Sequence, residues 1–151
     1  MKNKILFLVQ LPPPVHGASL MNQYVKESKL INELFDCVFF DISPETEHKN
    51  VGKFSFIKII RVLYSYFRIF LLIIKFRPIS CYFTLSPVGF AFYKDVIYVS
   101  ILKFFRINII FHLHGKGISD NINSVTDILY KFVFKNADVI HLSEKLFNDI
   151  D

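Results

Sequence analysis

Two short loops carry the residue types that could do chemistry. The first is Pro12-Pro13-Pro14-Val15-His16-Gly17-Ala18-Ser19, directly after the apolar run Ile5–Leu11. A strand that runs into a stiff proline loop and then into a helix leaves backbone N–H groups at its carboxyl end. The first N–H groups of a helix have no partner inside it, so this place suits an anionic ligand. Gly17 lets the backbone approach a ligand closely or take a positive φ. Ser19 can cap the helix, and His16 can donate to an oxygen or carry a proton. The same residues would equally make an ordinary strand-to-helix turn, and the loop alone does not choose.

The second loop is His112-Leu113-His114-Gly115-Lys116-Gly117, at the end of another apolar run. His112 and His114 fall on one side of a strand. A zinc site with His16 as third ligand lacks a suitably spaced Cys, Asp or Glu, so no metal is expected. A nicotinamide site is rejected as first choice and stands a distant third. Asp41 sits where a ribose-binding acid would, but the proline run replaces the Gly-x-Gly-x-x-Gly turn. In an open α/β sheet, ligands lie outside the carboxyl ends of the strands, near the point where strand order reverses. Loops after the first and fourth strands are therefore expected to face one crevice, with His16, Gly17 and His114 converging there.

The elements that must position these loops read as alternating strands and helices. Short runs rich in Ile, Val and Phe predict strands at Lys4–Gln10, Cys37–Ile42, Ile79–Leu85, Asn108–Leu113 and Val139–Leu142, buried on both faces. Helical patterns cover Ser19–Leu34, with Leu20, Tyr24 and Leu34 among its apolar positions, then Phe54–Phe76, Gly89–Phe105 and Ser124–Lys135. Ser124 and Asp127 are spaced like a capping box. Such alternation predicts an α/β fold, a Rossmann-like parallel sheet with helices on both faces. The loop Ser43–Lys53 is polar and the least structured part.

Composition narrows the class. At 151 residues, with a 52% apolar fraction, the chain has enough material for one domain with a full core and is not a disordered chain. Cys37 and Cys81 lie inside apolar runs and read as small buried hydrophobes of a reducing compartment. The start is a first strand rather than a signal peptide, and no apolar stretch is long enough to span a bilayer. The expected location is the cytoplasm, peripheral at the inner face of the plasma membrane. The segment Ser143–Asp151 opens like a helix and ends on acids, which has the wrong charge for the helix dipole. A truncated chain is expected on that ground.

Basic charge is concentrated in the long helix. Lys53, Lys58, Arg61, Arg68, Lys75 and Arg77 occur with no acid between them, against a net charge of +5 for the whole chain. Lys58, Arg61, Arg68 and Lys75 fall within an arc of about 100° on a helical projection. One explanation is a core helix with a solvated face. The other is a helix at an anionic membrane surface, with Phe67, Phe70 and Phe76 among its aromatic flanks. No nucleic-acid motif is present, and the helix is too apolar to track phosphates, so nucleic acid is not an expected partner.

Three blocks together resemble the N-terminal half of a GT-B glycosyltransferase of the large retaining class, family four. They are Leu11–Ser19, Phe111-His112-Leu113-His114-Gly115, and Asn136-Ala137-Asp138-Val139-Ile140-His141-Leu142-Ser143-Glu144. Residues 44–107 match only in their strand–helix rhythm. The resemblance implies residues 1–151 as the acceptor-side Rossmann-like domain, facing a donor-binding C-terminal domain that this sequence does not contain. It implies sugar transfer from a nucleotide-sugar donor to a lipid-linked or glycan acceptor in bacterial surface polysaccharide synthesis, without a metal or other cofactor. His16, Gly17, Ala18, Ser19, Gly115 and Lys116 would bind substrate, Gly17 near the donor diphosphate, and His114 would contact the transferred sugar as the catalytic residue. Lacking the paired glutamates and basic residues of the second domain, these residues alone would have little activity. The alternative reading is a non-catalytic α/β ligand-binding or membrane-docking module.

Overall fold

The five predicted strands all form, and every described pairing between them is parallel. The computed structural model describes residues 2–43 and 56–144. The chain divides into two compact units, Met1–Pro78 and Ile79–Asp151. The fold class is α/β and Rossmann-like, with helices connecting parallel strands.

In the first unit, β1 (Asn3–Val9) pairs in parallel with β2 (Phe35–Asp41), Asn3 opposite Phe35 and Val9 opposite Asp41. Leu6, Leu8 and Val9 are fully buried. Between the strands lie α1 (Gly17–Glu27) and α2 (Lys29–Leu34). The single helix expected over Ser19–Leu34 is therefore two. Ser28 adopts an extended conformation and its side chain accepts from Ile31 N, so it ends one helix and caps the next. The expected apolar face of this region also turns out differently. Leu20, Tyr24 and Leu34 are exposed, while Ser19 and Asn22 are the buried residues of α1. The reason is a hydrogen bond. Asn22 Nδ2 donates to the carbonyl of Gln10 at 3.0 Å and draws the polar side of α1 inward. The long helix α3 (Phe56–Phe76) buries Ile69 and Ile73 and ends at Arg77, which takes φ 54° and donates its N–H to Ile73 O. Most of the loop Ser43–Lys53, the start of the expected helix at Phe54 and the side chain of Lys58 lie outside the described residues.

In the second unit, β4 (Asn108–Leu113) lies between β3 (Ser80–Phe83) and β5 (Ala137–His141), parallel to both. Helices α4 (Gly89–Phe104) and α5 (Ser124–Phe134) connect them, with a 3₁₀ turn at Ser119–Asn121. Phe83, Phe92, Val99, Leu102, Phe111 and Val133 form its core. Arg106 (φ 55°) and Asn136 (φ 56°) follow α4 and α5 in the left-handed conformation that closes a helix, a place more often taken by glycine.

Two expectations are corrected here. Strands β2 and β5, at the edges of the described sheet, are not buried on both faces: both carry exposed residues among half-buried ones. Cys37 on β2 is half-buried, whereas Cys81 on β3 is buried, and neither is in a disulfide. The cap of α5 is Asn123 rather than Ser124. Its side chain accepts from Val125 N and Thr126 N, and the Thr126 hydroxyl closes the box on the Asn123 N–H. The segment 145–151 lies outside the described residues.

Candidate functional site: two loops at strand carboxyl ends

The proline loop leaves β1 through a lacing that β2 supplies. The Asp41 carboxylate accepts from Leu11 N at 3.3 Å and from Ser43 N at 2.8 Å. Ser43 Oγ also accepts from Leu11 N at 2.9 Å and donates to Leu11 O at 3.0 Å. Asp41, the acid weighed for a ribose, thus ties the ends of two strands together.

Beyond the prolines, the cap of α1 is His16 and not Ser19. The imidazole Nδ1 accepts from Ser19 N at 3.3 Å, and Ser19 Oγ accepts from His16 N at 2.9 Å. This reciprocal pair is a capping box built with a histidine. An accepting Nδ1 leaves the ring proton on Nε2, and the ring is exposed. Ser19 is completely buried, and its hydroxyl lies 2.9 Å from the carbonyls of both Pro14 and His16, so it braces the loop from inside. The first intrahelical bond is Leu20 N to His16 O. The N–H groups of Gly17 and Ala18, at the first two positions of α1, are the ones the cap does not engage. Gly17 is exposed, and a Cβ built on it would meet no atom within 4 Å. The fold itself does not require a glycine there.

The second loop is built differently. His112 is buried and its Nδ1 shares a hydrogen bond with the Tyr82 hydroxyl on β3. Burial holds the His112 imidazole below its ordinary pKa and pushes the Tyr82 phenol up to about 12. The His114 ring lies on the same side of the strand, 4.1 Å from that of His112 between centroids. His114 and Gly115 are half-buried and Lys116 is exposed. Gly117 has φ +119°, and a Cβ on it would lie 3.4 Å from Val88 Cγ1. A Cβ on Gly115 would lie 3.9 Å from Pro87. The loop thus packs against the connection that follows β3, Ser86–Val88.

That connection is held by a residue the sequence reading passed over. Asp95, on α4, is fully buried, and its Oδ2 accepts from Ser86 N at 2.9 Å. Burial raises its carboxyl pKa, while the neighbouring Lys94, 3.6 Å from Oδ1, and the Ser86 N–H work against that rise. The Tyr130 hydroxyl donates to Pro87 O at 2.8 Å from the other side. A signal for Asp95 existed in the sequence. It is the lone acid of α4, and it shares the helical spacing of the buried Phe92, Val99 and Leu102.

The two loops belong to different units, His16–Ser19 to the first and His112–Gly117 to the second. Among the described residues no three His, Cys, Asp or Glu side chains form a metal-holding group. A cleft of about 300 Å³ opens in the second unit among Ser80, Asn108, Asn136 and Asp138. It lies at the amino ends of β3, β4 and β5, the edge away from the histidine loop. Arg61, Arg68 and Lys75 are exposed on α3. No helix among the described residues is long and apolar enough to cross a membrane. Compared with families of proteins, with curated proteins and with solved structures, the chain finds no match.

Proposed function

We propose that this chain is the acceptor-side domain of a GT-B glycosyltransferase, moving a sugar from a nucleotide-sugar to a lipid-linked or glycan acceptor. The observation that carries the reading is the Gly17 loop. It presents two uncapped N–H groups and an open space above a glycine that folding does not need. A glycine kept where a side chain would fit is accounted for by a ligand that needs the space. The N–H pair and the positive end of the α1 dipole suit a diphosphate. The resemblance of the Leu11–Ser19 and Phe111–Gly115 blocks to the transferase family supplies the reaction class.

In this reading the protein's own groups act by position and charge. Gly17 and Ala18 N–H groups stabilise negative charge as the diphosphate departs, a role that needs no metal. His114 holds the hydroxyls of the transferred sugar, with Gly115 and Lys116 beside it. His16 and Ser19 keep the first loop in shape through the cap. The nucleotide is gripped by a second domain. The proposed place is the cytoplasm, at the inner face of the membrane, a reducing compartment that suits two cysteines outside any disulfide.

The direct test uses the chain as it is. Titrating UDP or inorganic pyrophosphate into the ¹⁵N-labelled protein is expected to shift the Gly17 and Ala18 amide resonances, and Gly17→Val is expected to remove the response. Unmoved amides would sink the reading. In the enzyme with both domains, His114→Ala is expected to lower turnover about 10²-fold, the cost of a lost positioning contact in a closed cleft. Full activity of that variant would remove His114 from the site.

A further inference from the structure

The long helix α3 has two apolar faces. One holds Ile69 and Ile73, both buried. The other is exposed and runs from Ile60 to Ile74 on the opposite side. Placing residues at about 100° steps puts Ile60, Leu63, Tyr64, Phe67, Leu71 and Ile74 in an arc of about 100°, centred opposite Ile69. Each of the six is between 47% and 61% exposed. Arg61, Arg68 and Lys75 follow along one border of this stripe, and all three are exposed. The basic residues are thus the rim of the outward face, and apolar side chains are its centre. The Arg68 guanidinium, 5.9 Å from the Tyr64 ring centroid and 5.3 Å from that of Phe40, sits over aromatic carbon.

We infer that this stripe docks on an anionic lipid surface, with α3 lying in the plane of the interface. The charge pattern selects that occupant. An antiparallel second copy would set one basic rim against another, and in either orientation α3 carries no Asp or Glu to pair with the rim. A bilayer containing anionic lipid offers apolar depth for the stripe and negative headgroups for the rim. Tyr64 and Phe67 are residue types that settle at that boundary. The helix lies on the surface and does not insert across it, since no described helix is long and apolar enough to cross. The inference is independent of the proposed transferase activity.

The chain contains no Trp, so Phe67→Trp makes a single fluorophore in the middle of the stripe. Its emission is expected to shift to the blue with phosphatidylglycerol-containing vesicles and not with pure phosphatidylcholine vesicles. Trp placed at exposed Ile128 on α5 is expected to stay unshifted. Replacing Arg61, Arg68 and Lys75 by Gln should weaken vesicle binding in flotation on the order of 10²-fold, about fivefold for each charge. Phe67→Ser should weaken it about tenfold. Circular dichroism of each variant separates lost binding from lost folding. Flotation that ignores lipid charge, a blue shift at position 128 without one at 67, or no binding at all overturns the inference. So does sedimentation showing a dimer that Phe67→Ser disrupts, which would make a second copy the occupant.

Discussion

Gly17 and Gly117 stand in loops of the same kind, each beyond the carboxyl end of a parallel strand, and the structure treats them in opposite ways. Gly117 is demanded by its own surroundings, with φ +119° and Val88 at 3.4 Å from any Cβ. Gly17 is demanded by nothing around it. A glycine that the fold requires is explained by the fold. One that the fold does not require is a better pointer to a ligand. The histidines divide the same way. His16 is exposed and spends one nitrogen on a helix cap, whereas His112 is buried against Tyr82 and serves packing.

Paired substitutions at the two glycines have the largest expected effect. Gly117→Val is expected to cost about 3 kcal/mol, from a β-branched residue held at positive φ against Val88. Gly17→Val should stay within about 0.5 kcal/mol of the parent, as an exposed change without lost contacts does. Urea unfolding of both variants decides. If the two cost the same, the distinction between the loops fails.

Asp95 sharpens the account of the second loop. Asp95→Ala should cost about 2 kcal/mol, since it strands the buried Ser86 N–H. Asp95→Asn retains an acceptor for that N–H and should cost much less. The sign of the pH effect follows from the raised carboxyl pKa. Below the ordinary value of 3.8 both folded and unfolded chains hold the proton, and stability from this group is fully present. As pH rises through the folded value, the unfolded chain has already released its proton, and that stability is lost. The difference in unfolding free energy between Asp95→Asn and the parent should therefore grow in favour of Asn as pH rises out of the acid range. A difference that shrinks with pH would mean that the carboxylate is stabilised in the fold.

The first loop yields a smaller effect. His16→Ala removes the acceptor for Ser19 N and should cost about 1 kcal/mol, and His16→Asp should restore most of it as a better cap. Thermal unfolding of the pair is sufficient. Equal melting temperatures for His16→Ala and the parent would show that the cap contributes nothing.

The smallest expected effect is the pH response of His112. Its pKa is lowered by burial, so its contribution is present above the ordinary value of 6.5 and is lost as pH falls through the folded value. His112→Gln keeps a polar partner for Tyr82 without the titration. Its stability should therefore depend less steeply on pH below 6.5 than that of the parent. Parallel curves would show that His112 charges in the fold without penalty.

Strands and the α/β class were legible because they depend on runs of residue types along the chain. Asn108–Leu113 was delimited to the residue, and so was the end of the long helix at Phe76. What spacing could not decide was which polar group meets which. Ser19 and Ser124 are ordinary capping residues, yet His16 and Asn123 hold the caps because the loops deliver them to the free N–H groups. Leu20 and Tyr24 are apolar by type and still face outward, because Asn22 finds the Gln10 carbonyl. Asp95 is a surface residue by type and a buried strut in the structure. Periodicity is a property of neighbours in sequence and can be read there. Burial of a polar group depends on a partner many residues away, and only the tertiary structure brings that partner within 3 Å.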